Sequence, residues 1–309
     1  MTQNQLSRYG SISRLIPDLA PSAKVFLVGD SDDTTYGVVN LASDFPADND
    51  GVVRVYTTIQ AAVNAASANR GDVILVAPGY NQSLISADSW NVAGIQVVGM
   101  GQGDRRSRLT FDTTGAQVNI GAAGVRISNL EFRASVSAIT LGLDIDSTGD
   151  GSKVNNCLFS YDTNGDDFAI ALRVGAKRCI IEDNEIQLED TAGPTHGIAL
   201  LGGNADNSII KRNVVVGEFS TTAIGQDTSD TSDTDLDGVL IEDNRIINFD
   251  TATAVHIRFS AGYTNEGLVY KNIIASYDTS AADTAQIALT GLRGIENRIR
   301  SDSSEKLLP

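Results

Sequence analysis

Glu182 and Glu242, with Asp183 and Asp243 beside them, are the first residues to weigh for chemistry. Cleaving a glycosidic bond needs two carboxyl groups about 5 to 10 Å apart, one protonated and one ionised. Each pair sits in the same short motif, Ile-Glu-Asp-Asn, and between the two copies stands Ile-Lys-Arg-Asn with Lys211 and Arg212. If the three copies stack as neighbouring strands, the order reads Glu–Lys–Glu beside Asp–Arg–Asp. That is a surface ladder of alternating charge rather than an acid–base pair. Exposed cross-strand pairs of this kind stabilise by under about 1 kcal/mol each.

Other chemistries are thinner still. The two histidines, His196 and His256, are too few for a His-rich zinc site. Neither adjoins a serine or cysteine in a recognisable nucleophile motif. Asp233, Asp235 and Asp237 match the first half of a calcium loop, but its twelfth position is Asn244 rather than glutamate, so they are weak metal candidates in an acidic exposed loop. Gly99-Met-Gly-Gln-Gly103 lacks the Lys-Ser/Thr ending of a phosphate loop and reads as tight corners. Cys157 and Cys179 lie in apolar runs, as buried thiols rather than a disulfide framework. No catalytic residue, cofactor or firm metal ligand is assigned.

The elements that must carry these residues form a repeat. Asn129, Asn156, Asn184, Asn213, Asn244, Asn272 and Asn297 each follow a short β-rich run and precede an apolar residue; they are spaced 27, 28, 29, 31, 28 and 25 residues apart. A second series, including Ile139-Thr-Leu141, Ile170-Ala-Leu172, Ile198-Ala-Leu200 and Ile287-Ala-Leu289, falls between them. One fixed pattern per period argues for a solenoid over a sandwich or barrel. Stacked coils lie about 4.8 Å apart, so an inward asparagine at each corner can pass its amide hydrogen to the next. The seven are expected to form a structural asparagine ladder, which satisfies side chains otherwise costly to bury.

The expected fold class is all-β: a right-handed parallel β-helix of roughly nine coils, with an N-terminal capping helix and a small N-terminal β-rich segment. Thr57 or Thr58 can cap a helix over 57–68 whose face carries Ile59, Ala62, Val63 and Ala66, closing the open end of the stack. Residues 1–50 read as an arm and attachment segment, with 24–56 as a small β-rich unit apart. The helix and coils span 51–300, and the tail, 301–309, is too short to cap the far end well.

The formal net charge is −16, from 23 Lys plus Arg against 39 Asp plus Glu. Such a surface repels nucleic acid and anionic membranes, so neither is an expected partner, and a polyanionic glycan would need a local basic groove. Neither an apolar signal core nor a run of about 20 apolar residues is found, which suits a soluble protein made in the cytoplasm.

Tyr56-Thr-Thr-Ile-Gln-Ala-Ala-Val63 followed by Arg70-Gly-Asp-Val-Ile-Leu-Val-Ala-Pro-Gly79 resembles the entry into the pectin-lyase-like β-helix. Together with Val92-Ala-Gly-Ile-Gln-Val-Val-Gly-Met-Gly101, it is similar to short β-helix virion proteins of tailed bacteriophages, of the capsid decoration or knob type. The resemblance covers about 52–300. It implies a non-enzymatic structural protein, a homotrimer bound to the major capsid protein on the virion surface. The alternative is a tail spike or receptor-binding protein that binds or cleaves a host surface glycan. Against the polygalacturonase pattern, Asp166-Asp167 and His196-Gly197 match two elements; Thr195 replaces a glycine, and the Asn-Thr-Asp and Arg-Ile-Lys elements are missing. Asp162–Asp167 then reads as a solvated turn and His196 as a strand-edge residue.

Overall fold

The computed structural model describes residues 22–31, 33, 37–44, 51–188, 193–227, 235–249, 255–260, 263–276, 287–301 and 304–308. Alternation decides which runs become strands. Ser107–Phe111 buries every second residue, as do Glu185–Leu188 and Arg245–Asn248, and each such run is too short to be anything but one side of a coil. From Val73–Val76 to Asn297–Ser301 each strand pairs in parallel with strands one period away, and the chain winds as a right-handed parallel β-helix.

Three walls result. Wall A stacks Val73–Val76, Gln96–Gly99, Arg126–Ser128, Lys153–Asn155, Ile180–Glu182, Ile209–Lys211, Val239–Glu242, Gly267–Tyr270 and Arg293–Ile295. These nine strands span eight turns, in line with the expected coil number. Wall B follows each of them after a corner, and wall C carries the longest strands, among them Ile139–Ile145 and Phe168–Val174. The interior between the walls is one continuous apolar core from Phe26 to Leu292.

The N-terminal end differs from expectation. The region 24–56 is not a unit apart: Val25–Val28 pairs in parallel with Val73–Val76 and so extends wall A, with Val55–Tyr56 on its other edge. Its alternation explains why. Phe26 and Val28 join the interior, while Leu27 faces out with Val73, Leu75, Ala77 and Val98. That outer apolar patch is covered by helix α1, Val38–Asp44, through Leu41. Helix α2, Ile59–Ala65, is the expected cap. Thr58 Oγ1 accepts the Ala61 N–H at 3.2 Å, and Ile59, Ala62 and Val63 are buried in the main core. Asp72 ties the junction together, accepting the Lys24 and Ser67 N–H groups at 2.8 Å each and both edges of Arg70. Burial alone would raise that carboxyl, but these donors hold it below its ordinary value.

The far end is also better closed than expected. Ser304–Leu308 turns back antiparallel on Asn297–Ser301 and ends wall B, so the tail does cap one wall. Among the described residues, walls A and C have no strand beyond Arg293–Ile295 and Ile287–Ala288.

Candidate functional site

The corner between walls A and B is the most regular feature of the molecule. In each coil from Asn129 upward one residue there adopts a left-handed conformation: Asn129, Asn156, Asp183, Arg212, Asp243, Lys271 and Glu296, all with φ between 52 and 58°. The residue that follows turns inward. From Asn184 upward this inward position is always asparagine. Asn184 Nδ2 donates to Asn213 Oδ1 at 3.0 Å, Asn213 to Asn244 at 3.0 Å, Asn244 to Asn272 at 2.9 Å, and Asn272 to Asn297 at 3.0 Å. The second Nδ2 hydrogen goes to a backbone carbonyl, Ile181 for Asn213 and Ile210 for Asn244. Each Oδ1 also accepts the backbone N–H of the asparagine below. An interior member therefore fills all four of its hydrogen-bonding positions while buried.

Two of the seven expected members do not belong. Asn129 and Asn156 occupy the left-handed corner itself, one residue early, and the inward position in their coils holds Leu130 and Cys157. Asparagine suits both places, for its tolerance of positive φ in one and its amide in the other. Asn129 instead donates to the Gly99 and Gly101 carbonyls, each at 2.7 Å, and accepts from Asn156 Nδ2 at 3.1 Å. The column ends downward on the Cys157 N–H, which Asn184 Oδ1 accepts at 2.9 Å. Both cysteines are buried free thiols; burial pushes Cys157 up to about 12 and Cys179 to about 11, so neither supplies a thiolate near neutrality.

Outside this corner the charges interlock. Glu182, Lys211 and Glu242 stand in register on wall A. Glu182 binds Lys153, Lys211 at 3.1 Å and Arg212 at 3.0 Å, while Arg212 also grips Asp183 through two bonds of 2.8 and 2.7 Å. Burial acts to raise the Glu182 carboxyl, but Lys153 and Lys211 outweigh it and hold it near 2. A carboxylate so placed has no proton to give at neutral pH.

Wall C gathers the buried polar groups that the amide column does not explain. Asp144 and Arg173, in register on adjacent strands, form a two-bond ion pair at 3.0 and 2.9 Å. One coil further, His196 begins its strand opposite Thr222, 5% exposed, with Nδ1 3.1 Å from Thr195 Oγ1 and Nε2 without a hydrogen-bond partner among the described residues. Burial holds its imidazole below the ordinary value; Asp227 pulls the other way and Arg258 adds to the depression. A neutral imidazole of this kind can accept a proton, and the carboxylate that acts on it is Asp227, buried on the neighbouring strand of the same wall. Asp167 accepts the Ala138 N–H at 2.6 Å, and Asp166 the Thr163 N–H and hydroxyl at 3.1 and 2.8 Å. Asp166 closes the turn anticipated there, whereas Asp167 is buried rather than solvated and ties the turn to the adjoining coil. Among the described residues Asp88 is the carboxyl whose net displacement is upward, through burial, and Gln82 donates to it at 3.3 Å within the network fastening α2.

The calcium candidates do other work. Asp235 Oδ1 accepts the Thr264 N–H at 2.7 Å, and the Asp237 N–H goes to Asp206 Oδ1 at 3.1 Å. Asp233 lies outside the described residues. Among the described residues no three Asp, Glu, His or Cys side chains come together as a metal site. Gly101 and Gly103 are corners as expected, whereas Gly99 ends a wall A strand: a Cβ on Gly101 would meet the Arg105 carbonyl oxygen at 1.5 Å, and Gly103 has φ +54°.

No protein-family description matches the chain, and no curated protein does. Among solved structures, it is similar to a pectin methylesterase from Aspergillus niger, 14% identical, with a TM-score of 0.48, covering 92% of this chain and 87% of that one. A pectin methylesterase from Erwinia chrysanthemi is 11% identical, TM-score 0.45, covering 89% and 81%. A pectate lyase is 12% identical, TM-score 0.43, covering 92% and 79%.

Proposed function

We propose that this protein is a structural component of a tailed-phage virion: a β-helical knob that decorates the head as a homotrimer, held by residues 1–50 on the major capsid protein. The observation that carries this reading is how the carboxylates are used. Glu131, Asp144, Glu182 and Asp183 each bind a cation of an adjoining coil, which makes them rivets between coils rather than reagents. An acid–base pair needs one carboxyl raised toward neutrality beside another kept ionised; Glu182 is displaced the opposite way. A shaft fixed by directional bonds along its length suits a projecting part that must not bend, and three weak arms on one trimer gain effective concentration for each later contact.

Two measurements test this. Deleting residues 1–22 is expected to abolish capsid occupancy while leaving the far-UV circular dichroism of the coils unchanged; full occupancy without the arm rules it out as the anchor. Incubation with host surface polysaccharide is expected to release no reducing ends, and release that Arg173→Ala abolishes would overturn the structural reading. The second reading, a receptor-binding protein for a host glycan, is favoured by one specific feature, an arginine-lined cleft on wall B.

A further inference from the structure

From Asn129 upward, wall A passes to wall B through a single left-handed residue. One coil below, the same passage takes the whole stretch from Met100 to Arg106 before Ser107 enters wall B opposite Leu130. The excursion is fixed rather than slack. Asn129 holds the Gly99 and Gly101 carbonyls, Gly101 admits no side chain, and the Arg106 N–H closes a short 3-10 turn on the Gly103 carbonyl at 3.0 Å. The opened corner stands against wall B and bounds a shallow, open cleft of about 450 Å³.

The chemistry of that cleft departs from the rest of the surface. Three arginines, 106, 108 and 133, line it against Asp104, Glu131 and Glu185, a balanced lining in a chain of net −16. Arg108 is taken by Glu131 at 2.8 Å, and Arg133 by Asp162 at 2.5 Å. Arg106 lines the cleft half-buried, and its guanidinium has no hydrogen-bond or ion-pair partner among the described residues. A guanidinium left in this state is ready to take a planar or tetrahedral oxyanion through paired N–H donors. Ser160 and Glu131, already joined at 2.9 Å, add hydroxyl-compatible groups, and Tyr161 and Leu158 add apolar surface. The carboxylates of Asp104 and Glu185 at the same cleft oppose a polyanion such as nucleic acid, yet accept from hydroxyls.

We propose that the opened corner at Met100–Arg106 binds an acidic sugar unit, a saccharide carrying one carboxylate or sulfate, with Arg106 receiving the anion and the acidic rim receiving hydroxyls. This goes beyond the structural role, which stands whether or not the cleft is occupied. The test uses the full chain and three probes that differ only at C6: glucuronic acid, glucose 6-sulfate and glucose, with inorganic sulfate as a fourth. Binding is read by chemical-shift changes on titration. At least one acidic sugar is expected to bind at least about tenfold more tightly than glucose, a difference of about 1.4 kcal/mol, and than inorganic sulfate. Which of the two binds better tells carboxylate from sulfate. Arg106→Ala should remove that preference and Arg106→Lys retain part of it, while Arg293→Ala at the far end leaves it unchanged. Binding of glucose as tight as that of the acidic sugars overturns the role of the anion. Inorganic sulfate binding as tightly as glucose 6-sulfate overturns the sugar. Full affinity in a folded Arg106→Ala protein, or no binding by any probe, overturns the site.

Discussion

The lower and upper halves of the solenoid solve one packing problem in two ways. The inward row of wall B runs Leu109, Phe132, Phe159, Ile186, Val215, Ile246 and Ile274 in strict register. In the lower coils it is aromatic: Phe132 stacks on Phe159 at 4.9 Å between centroids, and Phe111 meets Phe168 edge-on at 5.0 Å. The inward corner beside those rings is apolar, Leu130 and then Cys157. From Asn184 upward the row becomes aliphatic and the corner becomes the amide column. Aromatic packing is strong but tolerates small slips, whereas an amide relay is met at one register only. The upper coils, whose periods vary from 25 to 31 residues, therefore carry a device that resets the register at every turn.

Perturbing each half in its own terms sharpens that contrast. The largest loss is expected below, where Phe132→Ala opens a cavity between two rings and costs about 3–5 kcal/mol in chemical denaturation. Asn213→Ala comes next. It strands the Asn184 N–H and one Nδ2 hydrogen and leaves Asn244 Oδ1 with only the backbone N–H of residue 213, and about 2–3 kcal/mol of stability should go with it; a loss below about 0.5 kcal/mol would mean that the column follows the register rather than setting it. Glu182→Gln should cost about 1 kcal/mol, part-screened as the cluster is. Its pH dependence has a definite sign. The carboxyl is held near 2 in the folded chain against an ordinary 4.5, so its contribution is complete above about 4.5 and disappears as pH falls from there through 2. Thermal melts of wild type and Glu182→Gln should converge across that window and differ above it. The smallest effect is expected from Cys157→Asn, which lengthens the column by one member; a change within about 1 kcal/mol and a new protected side-chain amide in hydrogen exchange are the expected signs.

The solenoid was legible because its signal is repetition, and repetition survives ignorance of any one loop. The charge comb at Glu182–Lys211–Glu242 was legible for the same reason, since a shared motif fixes a shared register. Asn129 and Asn156 misled because the corner holds two adjacent positions that both favour asparagine, and identity alone does not say which one is filled. Helix α1 escaped notice because its task is to cover the outer side of a strand, Val25–Val28, whose apolar residues face both ways. The arginine cleft escaped for a related reason. Arg106 gains meaning only once Met100–Arg106 is known to replace a one-residue corner, and that follows from the pairing of Ser107 with Leu130. The polar groups of wall C, Asp144 with Arg173 and then His196, lie on different coils and share no motif.

A double-mutant cycle between Asn213 and Asn244 probes the amide relay most directly. Unfolding free energies of the two single alanine variants and of the double variant would be compared at fixed pH and salt. A continuous relay predicts strong non-additivity, with a coupling of about 1–2 kcal/mol, because the first substitution already breaks the chain of donors. Additivity to within about 0.5 kcal/mol would contradict it, and would leave the upper coils held by their aliphatic row alone.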